Sequence, residues 1–77
     1  MRKFEDEYRD KLDYLQAMLG EGYTTVPVVA QKILHVDPAT LRAVPDFPVV
    51  YFGSRRRVPL DRLARWLVDK ERKEIRA

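Results

Sequence analysis

Thr25-Val26-Pro27-Val28-Val29-Ala30-Gln31-Lys32-Ile33-Leu34-His35-Val36-Asp37-Pro38-Ala39-Thr40-Leu41-Arg42 holds two helix starts separated by one tight turn. Thr25 offers a capping hydroxyl, and Pro27 is tolerated in the first turn because no N–H is needed there. Val26, Val29, Ala30, Ile33 and Leu34 fall at i, i+3, i+4, i+7 and i+8, so one face is apolar while Gln31 and Lys32 look outward. Asp37-Pro38 repeats the logic: Asp caps, Pro takes the first helical position, and Leu41 and Val44 point inward. Pro45 disfavours helical geometry at Val44, which holds this helix to under about two turns.

C-terminal to the helix pair the pattern changes to Pro48-Val49-Val50-Tyr51-Phe52, β-branched and aromatic, then Gly53-Ser54-Arg55, then Arg56-Arg57-Val58-Pro59. This predicts a hairpin turning at Gly53, with an arginine-rich second strand. Leu60, Leu63, Ala64, Leu67 and Val68 restore helical spacing, with acid-before-base pairs Asp61 to Arg65 and Asp69 to Lys73, and predict a helix from Leu60 to Glu74 that frays at Ala77. On the N-terminal side, Phe4, Tyr8, Leu12, Leu15 and Leu19 line one face of a helix over residues 3–19, with Tyr14 and Met18 widening the stripe. Glu5 to Arg9 and Glu7 to Lys11 are further acid-before-base pairs, and Gly20-Glu21-Gly22 supplies the left-handed stop.

The 77 residues, 45% hydrophobic and 35% charged, suit one small domain in which residues 1–22 form an added amphipathic helix on a unit of residues 23–77. A core of this size is marginal, so the N-terminal stripe is expected to pack on the domain, on a second copy, or on both. No apolar run approaches a membrane span and the start is acidic where a signal peptide turns hydrophobic. With no Cys, a soluble cytoplasmic protein is the expectation. One His and no Cys make catalysis improbable, so no enzymatic activity, cofactor or metal is expected. Charge is divided: residues 1–22 carry four Lys and Arg against six Asp and Glu, whereas residues 23–77 carry eleven against six. An anionic partner belongs with the second part.

The order helix, tight turn, short helix, β-hairpin, helix predicts an α+β, mainly helical winged helix-turn-helix with a two-stranded hairpin wing and an additional N-terminal helix. Residues 24–68 also resemble the excisionase and MerR-like group of small bacterial and phage DNA-binding proteins, on the strength of Thr25 to Leu34, Val36-Asp37-Pro38-Ala39-Thr40-Leu41-Arg42, Phe47-Pro48, Gly53 to Pro59 and Leu63-Ala64-Arg65-Trp66-Leu67. The resemblance implies sequence-dependent binding of double-stranded DNA, as a recombination directionality factor or a transcriptional regulator of a phage or integrative element. A recombinase or integrase is a further implied partner. Val28, where a capping box places Glu, and Pro38-Ala39, where relatives often carry a basic or hydroxyl residue, depart from the group's pattern.

A short helix presented by a tight turn can enter the major groove, and Thr40 and Arg42 are its outward hydrogen-bonding residues. Arg42 is the candidate for a guanine edge, because its planar fork reaches two acceptors there. Its bland alternative is a surface ion pair with Asp46 or Asp37. Arg55, Arg56 and Arg57 can lie on phosphates or enter the minor groove, and strand alternation separates Arg56 from the other two. The competing reading is a solvated hairpin tip that keeps an edge strand from aggregating. Lys32, on the supporting helix, is the remaining DNA-binding candidate. His35 is read as a turn or cap residue, Ser54 as a turn residue, Asp10 and Asp13 as a solvated helix face, and Trp66 as core. The alternative function is a protein-interaction module that uses the hairpin and N-terminal helix to hold a recombinase or other protein.

Overall fold

The computed structural model describes residues 3–75, with side chains through residue 73. Helix α1 (Phe4–Leu19) ends at Gly20, whose N–H donates to Gln16 O at 2.9 Å and whose φ of 88° suits glycine. A two-residue strand β1 (Tyr23–Thr24) leads into α2 (Val26–Val28), which continues as a π-helical stretch (Val29–Leu34). After a turn come α3 (Pro38–Arg42), β2 (Val50–Phe52), β3 (Arg55–Pro59) and α4 (Leu60–Ile75). The fold is therefore α+β and mainly helical, as the pattern predicts; the expected fraying at Ala77 lies outside the described residues.

The sheet has three antiparallel strands in the order β1-β3-β2, where the sequence predicts only the hairpin. Tyr23 pairs with Pro59 and Thr24 with Val58, so β1 lies against the half of β3 that β2 leaves free. Two residues are too few for alternation to register as a strand in the sequence. The hairpin turns through Gly53, at φ 67°, and Ser54, and Arg55 already belongs to β3 rather than to the turn.

The two helix starts differ. Asp37 Oδ1 accepts from Ala39 N–H at 2.8 Å, the expected cap, with Pro38 at the first helical position. Thr25 makes no side-chain cap, contrary to expectation. A capping side chain accepts from the second or third helical N–H; the second residue here is Pro27, which has none, and the Val28 N–H does not bond to the Thr25 hydroxyl either. The predicted single α-helix over Val26–Leu34 is also corrected: beyond Val28 the turns widen to π-helical geometry, with Val29 and Ala30 both fully buried as the apolar spacing predicts. That stretch ends on His35, which is left-handed (φ 54°, ψ 46°) and whose N–H donates to Ala30 O. Val36 N–H reaches the same carbonyl at 2.9 Å, so His35 fills the turn and capping role expected of it.

One core joins the two segments. Leu15 of α1 packs in a single cluster with Val26, Val29, Leu41, Val58, Leu60, Leu63 and Leu67, and Tyr8, Leu12 and Leu19 are half-buried against it. The N-terminal stripe is thus used within its own chain, with α1 laid along α4. Glu7 and Lys11, predicted to pair with each other, cross instead to α4: Arg72 Nε donates to Glu7 at 2.6 Å and Lys11 Nζ to Glu71 at 2.8 Å. Arg72 also sits 5.4 Å over the Phe4 ring and Arg65 lies 5.3 Å over Tyr8, so Arg65 turns to a ring on α1 rather than to Asp61. Asp69 and Lys73 do pair, at 3.0 Å. Trp66 is half-buried and meets Phe47 edge to face at 5.0 Å, closing the core below the segment that joins α3 to the sheet.

Candidate nucleic-acid interface

Alternation along β3 decides which arginine faces what. Val58 is fully buried, so the residue two before it, Arg56, projects from the same side of the sheet, and its cross-strand partner on β2 is Tyr51. That side turns toward α3. Arg42, the last residue of α3, and Arg56 with Tyr51 on the hairpin line one groove, whose floor is apolar: Val26, Leu41, Val44, Phe47 and Val49. The groove holds about 210 Å³ and opens to solvent.

Arg55 and Arg57 lie on the opposite face of the sheet, with Val50 and Phe52 as their partners on β2. The separation of Arg56 from its two neighbours is the one strand alternation predicts. Arg57 is half-buried and its Nη1 donates to Arg56 O at 2.8 Å, whereas Arg55 and Arg56 are exposed.

Thr40 and Arg42 are both exposed on α3, and Lys32 is exposed on the π-helical stretch that precedes the turn. The two acids that could neutralise Arg42 are engaged elsewhere. Asp37 caps α3, and Asp46 lies 3.3 Å from Lys70 Nζ. Among the described residues Arg42, Arg55, Arg56 and Lys32 have no carboxylate within ion-pair distance, while Lys11, Lys70, Arg72 and Lys73 all do. Uncommitted cations are thus present on α3, its supporting segment and the hairpin, though Arg9 of α1 and Arg62 of α4 also lack a carboxylate partner among the described residues; of the paired cations, Lys11 and Arg72 tie α1 to α4. Asp46 itself is perturbed: desolvation acts to raise its pKa, but the hydrogen bond and charge of Lys70, with Trp66 and the backbone adding to them, outweigh this and hold the carboxyl below its ordinary 3.8.

Two features of this surface escape the sequence reading. Tyr51, 66% exposed and opposite Arg56, becomes a groove residue only once the strand register is known. Tyr23 belongs to the sheet only through β1. Among the described residues no three His, Asp or Glu side chains gather as a metal site, and no helix is long and apolar enough to cross a membrane. Comparison with protein-family models, curated proteins and solved structures finds no match for the chain, so this surface is interpreted from its residues and geometry alone.

Proposed function

We propose that the chain binds double-stranded DNA as a winged helix-turn-helix of the excisionase type, with α3 in the major groove and the hairpin as the wing. The observation that carries the reading is the pairing of Arg42 and Arg56 across one open groove, two guanidinium groups with no acidic partner that come from α3 and the hairpin respectively. Arg42 is placed to read a base edge, Thr40 to add a second hydrogen bond, and Arg56 to hold the adjacent phosphates, with Lys32 contributing charge from behind α3. A furrow of about 210 Å³ is below the usual size of a small-molecule pocket, which suits the edge of an extended partner better. Arg55 and Arg57, on the other sheet face, stand outside this interface.

Selection from a random-sequence duplex pool, followed by titration of the enriched and of unrelated duplexes, tests the proposal. Arg42→Ala is expected to cost about 1–3 kcal/mol on the enriched sequence and little elsewhere, while Arg56→Ala weakens binding to all duplexes alike. Absence of duplex binding at low salt, or variants that bind as the parent does, would sink the DNA reading and leave the protein-interaction module in its place.

A further inference from the structure

The outer face of the sheet has its own composition. It carries Tyr23 from β1, Val50 and Phe52 from β2, and Arg55, Arg57 and Pro59 from β3. Tyr23 and Phe52 are 53% and 56% exposed, yet their rings meet edge to face, with centroids 5.4 Å apart and planes at 88°. Because β1 and β2 flank β3 on opposite sides, the two rings lean toward each other over the central strand. The register makes Arg57 the diagonal neighbour of both, and sets Arg55 directly opposite Phe52. None of the residues in the three strands is acidic. The apolar side chains on this face other than the rings are withdrawn, Val50 half-buried and Pro59 buried. What the face presents is therefore π surface beside two guanidinium groups.

We propose that this face binds single-stranded nucleic acid, with bases stacked on Tyr23 and Phe52 and the phosphates against Arg55 and Arg57. The ring–cation pairing carries the choice of ligand. In a duplex the faces of the bases are covered by their neighbours, so a flat ring on a sheet has nothing to stack on. An unpaired strand presents those faces together with a backbone of negative charge, and the sheet meets it with exposed rings, positive charge and no carboxylate within its strands. Stacking needs no hydrogen-bond code, so binding is tolerant of sequence. The inference is independent of the duplex reading, because Arg42, Arg56 and Tyr51 stand on the other side of the same sheet.

The test is fluorescence anisotropy of a labelled oligothymidylate about twelve nucleotides long, run beside a duplex titration, with circular dichroism to verify that each variant is folded. Both rings are at the surface, so their removal leaves the core intact. Tyr23→Ala and Phe52→Ala are each expected to lower affinity for the single strand by roughly 5- to 150-fold, whereas Phe52→Tyr retains it. Duplex binding is unchanged in all three, and Arg42→Ala leaves single-strand binding unchanged. No binding of the oligothymidylate at low salt overturns the proposal. Binding that survives loss of both rings also overturns it, since charge alone would then account for the affinity. Equal loss of single-strand and duplex binding in Phe52→Ala refutes the division into two faces. If instead the ring variants abolish only self-association in sedimentation, the face belongs to a second copy of the chain and the proposal falls.

Discussion

His35 adopts the one left-handed backbone conformation of a non-glycine residue among the described residues, at φ 54°. A side chain with a Cβ in that region costs roughly 1–2 kcal/mol, and the geometry is retained because the N–H groups of His35 and Val36 both converge on Ala30 O only when the chain reverses hand there. The turn they close sets the angle at which α3 leaves the supporting segment. The imidazole is exposed, so the backbone is what the position demands. His35→Gly relieves the strain but gives back about 0.5–1 kcal/mol through the freer unfolded chain, leaving a net gain between zero and about 1.5 kcal/mol. His35→Val, with a branched Cβ, is expected to lose about 1 kcal/mol or more. Urea denaturation of the three proteins gives the order Gly, His, Val. A histidine more stable than glycine would show that the imidazole makes a contact of its own.

At the scale of elements, the parts written in short-range chemistry were legible and the parts made by distant pairing were not. Asp37-Pro38 is a cap and a first turn wherever it occurs, and Gly53 at φ 67° is the residue a two-residue hairpin turn needs, so α3 and the hairpin follow from adjacent residues. Thr25 misled because a favourable cap residue is followed by a proline at one of the two positions that could donate to it, and the other, Val28, does not. Glu7 and Lys11 misled because an α4 neighbour sixty or more residues away offers each a better-placed partner than the other does. The groove is of the same kind: Arg42 and Arg56 are individually visible as candidates, but nothing in their spacing tells that Tyr51 and Arg56 share a register position facing α3. A similar long-range tie fixes the segment after α3. Asp46 is held 3.3 Å from Lys70 of α4, and this ion pair, together with Trp66 and the backbone, lowers the carboxyl pKa below 3.8 against a desolvation that raises it. A depressed folded-state pKa contributes stability that is present above the unfolded value and lost as pH falls through the folded one. Asp46 is accordingly expected to titrate below 3.8 by carboxyl-carbon NMR and to move up toward it in Lys70→Met, with the acid-side loss of stability reduced in that variant. An unchanged midpoint would mean that Lys70 does not hold the carboxylate in solution.

Across the whole molecule, Glu7–Arg72 and Lys11–Glu71 brace α1 against α4, while cations without carboxylate partners among the described residues lie on α3, its supporting stretch and the two faces of the hairpin, as well as at Arg9 and Arg62 on the helix pair. The stripe of Phe4, Tyr8, Leu12, Leu15 and Leu19 is directed into its own chain, so self-association through it would require lifting α1 from α4. The cations at and beside the groove set a quantitative expectation for duplex binding. Each phosphate neutralised contributes about −0.9 to the slope of log affinity against log salt. A duplex that seats on Arg42 and Arg56 in the groove and also reaches Lys32 on the supporting stretch gives a slope of roughly −3, while recruitment of Arg55 and Arg57 as well would steepen it to roughly −4.5. These limits are separable by titration between about 50 and 200 mM salt. The expected result is the shallower slope, reduced by about one unit in Arg56→Ala and unaltered when Arg55 and Arg57 are both replaced by Ala. A slope near the steeper limit that collapses on loss of Arg55 and Arg57 would bring the outer face of the sheet into the duplex interface, and the wing would then grip DNA with both of its faces rather than one.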